Sequence, residues 1–295
     1  MQILVLGAAA GGGLPQWNCG CRNCADARAG RIPSMTQSSV AVSLDGSSWV
    51  LLNASPDIRV QLAGLSKMHP PALRGTPISA VILTNGDIDH IAGLLTLREK
   101  TAFDLYATQA GLDIVEDNSV FRVLDPDLVR SHSIELDSAF EPLPRLIVTP
   151  FAVPGKVALF LEGDAVNVEE LGEQTVGLLL ESDDGRAAYI PGCATVPGWL
   201  LTRLKDVDVL LFDGTVWNND EMAQTGTGQK TGARMGHVPL NGPHGSLSSF
   251  EGLGARKIFI HINNTNPILQ PDAPERAEVL ARGWEIAADG MEIRL

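Results

Sequence analysis

The sequence is short of positive charge, of histidine and of long apolar runs, and each shortage narrows what the protein can do. Its 22 lysines and arginines stand against 35 aspartates and glutamates, a net charge of −13. Nucleic-acid binding needs clustered Lys and Arg to neutralise phosphates, so no nucleic-acid partner is expected. No apolar run approaches the roughly 20 residues that span a bilayer. The start, "MQILVLGAAAGGG", lacks a basic segment and its apolar stretch ends in glycines, so it reads as a first strand and not a signal peptide. Only four cysteines occur, three of them within residues 19–24. That crowding does not suit a disulfide framework and suggests metal in a cytoplasmic protein.

What is present is a large apolar fraction, 44% of 295 residues, enough for one substantial core. No linker divides the chain, so residues 1–295 read as a single domain. "SVAVSLDGSSWVLLN" (39–53) is two β-rich runs around Asp45-Gly46, a hairpin signal. "SPDIRVQLAGL" offers Ser55 as N-cap and Pro56 at the first helical position. "ISAVILT" (78–84) reads as a buried strand and "HIAGLLTLREK" as the helix after it. Further strands are expected near 146–151, 157–161, 175–181, 187–190, 207–213 and 255–264, with helices at "GWLLTRLKD" and "APERAEVLAR" and a last strand near 285–294. Strand–helix alternation with an early hairpin predicts an α/β fold: two mixed β-sheets packed face to face, flanked by helices. The polar, Gly-rich segment 215–236 is long for a connection and reads as a mobile cover, with Asn218, Asn219, Asp220 and Glu221 suited to an amino-acid-like substrate.

Three strand ends carry the chemistry. "TNGDIDH" (84–90) leaves the strand at 78–84 with Asp87, Asp89 and His90; "VLLFD" ends on Asp213; "KIFIHINN" ends on His261. If these strands are neighbours, Asp89, His90 and His261 converge, with Asp213 as a further ligand or as an acceptor behind them. His237, beside a Pro/Gly turn in "MGHVPLNGPHGSL", is a candidate for proton handling. Cys19, Cys21 and Cys24 can turn three thiolates toward one point, which suits structural zinc; Asn264, His69 and His132 are candidates for its fourth ligand. Cys193 reads as an ordinary buried thiol. The glycines of "GAAAGGGLPQW" run into Pro15 and Trp17 and not a helix, so they read as a tight turn with close packing, not a phosphate loop.

The segments "GAAAGGGLPQWNCGCRNC", "TQSSVAVS", "LLNASPDIR", "TNGDIDHIAGLLTLRE", "DGTVWNNDEM", "MGHVPLNGPHGSL" and "IHINNTNPIL" together resemble the metallo-β-lactamase superfamily, and within it a family of pyrroloquinoline quinone (PQQ) biosynthesis proteins. The resemblance implies a metallo-β-lactamase-like αβ/βα four-layer sandwich with its site at one edge of the packed sheets. Hydrolytic superfamily members carry H-x-H-x-D-H and two metals. Here Asn85 and Asp87 replace the two leading histidines, the third first-site histidine falls near Pro154, and the bridging aspartate near Gly192. Asp89, His90 and His261 remain, the two-histidine, one-carboxylate set of non-haem Fe(II) oxygenases. Asp87 then adds an oxygen ligand or shapes the surroundings of the iron. Phosphodiester-cleaving relatives complete a similar cysteine loop with the last histidine of H-I-x-H, where this chain has Asn264. The resemblance thus implies an iron-dependent hydroxylase acting with O₂ on the tyrosine-derived ring of a peptide-derived precursor of PQQ made from crosslinked Glu and Tyr. The alternatives are a carrier of PQQ or its precursor toward the periplasm and, behind it, a metal-dependent hydrolase. A homodimer is compatible with all three.

Overall fold

The computed structural model describes residues 1–163, 167–168 and 170–295, and these form two seven-stranded sheets. The first runs, from edge to edge, β14 (Glu292–Arg294), β1 (Gln2–Gly7), β2 (Ser39–Ser43), β3 (Trp49–Leu52), β4 (Ile78–Ile82), β5 (Phe103–Ala107) and β6 (Val129–Ser133). The second runs β13 (Trp284–Ile286), β12 (Arg256–Ile260), β11 (Val209–Asp213), β10 (Gly185–Ile190), β9 (Val176–Ser182), β8 (Leu146–Ala152) and β7 (Phe140–Leu143). Each sheet joins an antiparallel meander to parallel strands, β3 to β6 in one and β10 to β13 in the other.

Strand alternation builds two cores from one sheet. Ile3, Val5, Val40, Val42, Val50, Leu52, Ala80 and Ile82 face the other sheet and meet Leu178, Leu180 and Tyr189. Their neighbours Leu4, Leu6, Ala41, Leu51 and Val81 point outward and are covered by Ile58 of α2 (Ile58–Gly64) and by Leu112 and Val115 of α4 (Gln109–Asp117). Burial on both faces is why β3 and β4 read as unbroken apolar runs. The outer face of the second sheet is filled by aromatic rings: Phe259 stacks on Trp284, centroids 3.9 Å apart, and Phe212 meets Phe250 edge-on. The remaining helices are α1 (Arg22–Arg28), α3 (Ile88–Ile91), α5 (Gly198–Leu204), α6 (Glu221–Gln224), α7 (Gly232–Met235), α8 (Ser246–Ser249) and α9 (Pro274–Ala281). Among the described residues no helix is long and apolar enough to cross a membrane.

Several expected elements change. The helix expected through residue 100 is one turn, α3, followed by a 3₁₀ turn at Ala92–Leu95. Ala54 donates to the His90 carbonyl and Gly93 donates to the Ala54 carbonyl, diverting the helical pattern onto a neighbouring loop. Gly93 is required there, since a Cβ would sit 2.3 Å from the Ser55 oxygen. Residues 157–161 are not a strand but end in a 3₁₀ turn, Leu159–Leu161, with all three apolar side chains exposed. The expected last strand is two, β13 and β14, one in each sheet, with Gly290 between them at φ +82°. Helix α2 begins at Ile58, after the expected cap, because the Ser55 hydroxyl donates to Gln61 and caps nothing.

Candidate metal centre

Parallel register places Asp213 of β11 opposite Ile260 of β12, so Asp213 and His261 leave the sheet at the same edge. The loop after β4 crosses from the other sheet to meet them. Val176 of β9 donates to the Thr84 carbonyl at 2.9 Å and Asn85 forms a bridge with Thr175, which stitches the two sheets together at this edge. The glycine loop closes one side: Ala10 donates to the Ile262 carbonyl, and a Cβ on Gly11 would lie 3.2 Å from Asp89 Oδ2. Those glycines allow a close backbone approach. The result brings Asp89 Oδ2 to 3.1 Å from His261 Nε2, with His90 and His261 rings edge-on at 5.3 Å. Asp89, His90 and His261 each offer a ligand atom within 4.8 Å of the others.

Each of the two histidines is oriented by a partner behind it. His90 Nδ1 lies 2.7 Å from Asn85 Oδ1, so it carries the proton and donates, leaving Nε2 as a lone pair. That Nε2 is buried and has no hydrogen-bond partner among the described residues. Burial holds His90 down to about 4 despite the pull of Asp89, so the ring is neutral at physiological pH. Such an atom facing a carboxylate and a second imidazole fits a metal ion. Burial works against ionised Asp89, yet His90 and His261 hold it below the usual carboxylate range. Burial likewise pulls His261 down, but Asp89 and Asp213 prevail and raise it.

Asp213, expected as a ligand or as an acceptor behind the ligands, accepts hydrogen bonds on both oxygens. Its fully buried carboxylate takes Cys193 N at 2.9 Å and His237 Nδ1 at 2.7 Å on Oδ2, and Thr215 N at 3.0 Å and Oγ1 at 2.6 Å on Oδ1. Four donors leave it little to offer a cation, although Asp213, His237 and His261 are also close enough to hold one. Thr215 went unrecognised in the sequence. Its hydroxyl donates to Asp213 and lies 2.9 Å from His261 Nδ1, which fixes the tautomer that turns His261 Nε2 toward Asp89. Nothing in a lone threonine between a glycine and a valine signals this. His261 itself has φ +58°, sparsely populated for a non-glycine residue, and its carbonyl lies 2.9 Å from the same hydroxyl.

His237 stacks on His261, centroids 5.1 Å apart, and lines the cavity in front of the centre. Asp87 also lines it, but its Oδ1 accepts from Leu159 N at 3.2 Å and it belongs to none of the metal-capable groups. The cavity holds about 250 Å³. Asn218 to Glu221 do not line it; Lys230, Arg234 and Met235 of the same segment do. Glu221 is instead buried, accepting from Trp217 N at 2.6 Å and from Thr265 Oγ1 at 2.5 Å. A larger hollow of about 460 Å³, lined from residues 194–197 and 238–249, contains none of the metal-capable groups. Gly192 leaves open the space a side chain would fill, 3.5 Å from His237 Cε1, and Pro154 is buried with its carbonyl bound to Ala194 N. Neither supplies a ligand.

The cysteines form a second group. Cys19, Cys21 and Cys24 sulfurs lie within 4.8 Å of one another, with Cys21 at the N-cap of α1 and Cys24 inside it. Asn264 Nδ2 is 3.2, 3.6 and 3.2 Å from the three sulfurs, so a half-turn of the amide would aim Oδ1 at the same point. His69 bonds the Ala63 carbonyl and His132 bonds Asp104, so neither reaches the cysteines. Burial pushes the Cys21 thiol up to about 12, with its cysteine neighbours adding to the rise. A cation would draw out those protons on binding.

The fold and this edge define the class, and a model of the beta-lactamase superfamily domain matches residues 48–262. Coenzyme PQQ synthesis protein B of Ruegeria pomeroyi is 57% identical over 295 residues, covering all of both chains, and that of Rhizobium meliloti is 57% identical over 298 residues, covering all of this chain and 98% of the other. The Zn²⁺-bound PqqB of Methylobacterium extorquens superposes with a TM-score of 0.98 at 53% identity over the full length of both. A diphosphatase of the PhnP family, at TM-score 0.71 and 23% identity over 99% of this chain and 96% of its own, shares the fold. The chain belongs to the coenzyme PQQ synthesis protein B family of the beta-lactamase superfamily.

Proposed function

We propose that this protein acts in PQQ synthesis as an iron-dependent hydroxylase, adding oxygen to the tyrosine-derived ring of a precursor built from crosslinked Glu and Tyr. The observation that carries the reading is the buried Nε2 of His90, without a hydrogen-bond partner among the described residues, beside Asp89 and His261 Nε2. This is a two-histidine, one-carboxylate set, and the ligands of a bridged two-metal hydrolase are missing around it. Bound Fe(II) would supply the redox chemistry that activates O₂. The chain's own part is to hold both imidazoles in the ligating tautomer through Asn85 and Thr215, with Leu159 and Met235 supplying apolar lining to the cavity. His237, its Nδ1 proton held by Asp213, would move a proton at the cavity-facing side of its ring. Zinc is assigned to Cys19, Cys21 and Cys24, with Asn264 as fourth ligand, because the three sulfurs and the Asn264 amide converge on one point; the Methylobacterium extorquens relative is itself a Zn²⁺-bound protein.

Inserting one oxygen atom while the other leaves as water takes two electrons and two protons, so the test includes a reductant. Protein purified without air is loaded with Fe(II) and given the crosslinked Glu–Tyr compound, O₂ and ascorbate. The expected result is O₂ uptake matched by a hydroxylated ring, absent with zinc at the same site. Tight binding of the compound with no turnover under any metal would replace this reading with the carrier one.

A further inference from the structure

Three cations share the wall of the metal cavity: Lys156, Lys230 and Arg234. In a chain with net charge −13 this gathering runs against composition. Asp89 is committed to His261, and Asp87 to Leu159 N. One carboxylate, Glu162, is divided between Lys156 Nζ at 2.9 Å and Arg234 Nη2 at 2.8 Å. The Arg234 contact holds Glu162 down to about 2 against the effect of burial, so it stays charged. Three carboxylates, Asp87, Asp89 and Glu162, thus share the cavity with the three cations, and Lys156 and Arg234 both pair with Glu162. Lys230 makes no ion pair with any described residue, and Arg234 Nη1 is buried without a hydrogen-bond partner among them. A buried guanidinium N–H with no acceptor among the described residues is suited to take a ligand oxygen.

The wall is built and not loose. Arg234 sits in α7, where the Thr231 hydroxyl accepts its backbone N–H and Gly232 donates to the Asn219 carbonyl. Gly232 is packed so that a Cβ would lie 2.7 Å from Val216 Cγ2. At the end of α7, Gly236 takes φ +86°, and the aliphatic stem of Lys156 lies where its side chain would begin, 3.3 Å away at Cγ. Leu159 and Met235 supply apolar surface in the same cavity. Its 250 Å³ exceeds the roughly 150 Å³ that accepts a benzene ring.

We propose that Lys230 and Arg234, with Lys156 behind them, are the specificity-determining residues of this site, and that they select an aromatic ligand carrying at least two carboxylates. The carboxylates pair with Lys230 and with the free edge of the Arg234 guanidinium, and the ring lies against Leu159 and Met235 on the side of Asp89, His90 and His261. This deepens the hydroxylase reading by naming how its substrate is held, and it rests on that reading for the ring's orientation only. Arg234 is the sharper determinant, because its planar fork matches a carboxylate where a lysine acts as a point charge.

The test is calorimetric binding of two probes to the metal-loaded protein: PQQ itself, an aromatic tricarboxylate, and benzene-1,3,5-tricarboxylate, each compared with the trimethyl ester of the latter. Both acids should bind and the ester should not, and binding should weaken as salt is raised. Lys230→Ala, at an exposed position that leaves the fold alone, should weaken both acids at least tenfold, and Arg234→Gln more, with metal content unchanged. Arg234→Lys should recover part of the loss. Equal affinity for the acids in parent, Lys230→Ala and Arg234→Gln would overturn the assignment, as would binding of the ester as tightly as the acid. The readout needs no turnover: charge-dependent binding without oxygen chemistry leaves the wall standing and removes the hydroxylase. Hydroxylation with KM unchanged in both variants does the reverse.

Discussion

Asn85 Oδ1 lies 2.7 Å from His90 Nδ1, so the asparagine that the superfamily resemblance sets in place of a histidine aims a candidate ligand. Asn85→Ala should therefore free the His90 ring and lower iron affinity by about 10–100-fold, the usual cost of losing an orienting partner. Competitive metal titration measures it. Asn85→His should not confer phosphodiester hydrolysis, because Gly192 and Pro154 still supply no ligands. Hydrolysis appearing on that single change would contradict the account.

Thr215 is expected to matter as much as a ligand without touching the metal. Thr215→Val keeps the shape and removes the hydroxyl, leaving Asp213 Oδ1 and His261 Nδ1 short of a buried partner. Stability should fall by about 1–3 kcal/mol in denaturant unfolding, and iron affinity should fall with it. Thr215→Ser should restore both; a serine variant as impaired as the valine one would mean packing, not hydrogen bonding, is the role.

His261 and Asn264 lie three residues apart on one turn yet face different groups, so the two metals should be lost separately. His261→Ala should abolish iron binding and turnover while one zinc remains in elemental analysis. Cys21→Ser should lose that zinc and lower the melting temperature, with iron still bound at the other group. Loss of both metals from either variant would show the sites to be coupled through the turn.

Glu221 carries the pH dependence most open to measurement. Burial raises its carboxyl to about 7 from an ordinary 4.5, against the hydrogen bonds from Thr265 and Trp217. The folded state thus holds this proton more tightly than the unfolded chain. Its contribution is complete below pH 4.5 and is lost as pH rises through about 7, on the order of 3 kcal/mol by pH 8. Melting curves should accordingly fall between pH 5 and 8, and Glu221→Gln should flatten that slope. An unchanged slope in the variant would assign the titration elsewhere.

Period and punctuation in the sequence determined much of the scaffold. The runs at β1, β3, β4, β11 and β12 are buried on both faces and read as strands without help, and Asp45-Gly46 marked its hairpin. The candidate ligands were legible for the same reason, since Asp89, His90 and His261 each follow such a run. The edge strand β6 was not: only Val129 of it is buried while Arg130 and Ser131 are exposed, and among the described residues it pairs with β5 alone. The helix after His90 was misread because Ala54, distant in sequence, takes its hydrogen bonds. Tertiary structure alone decided that Asp213 would be surrounded by four donors, that Thr215 would set the His261 tautomer, and that Lys156, Lys230 and Arg234 would share one cavity. Those facts depend on which loops meet at the edge of two sheets, and local periodicity carries no information about groups brought together from strands so far apart in the chain.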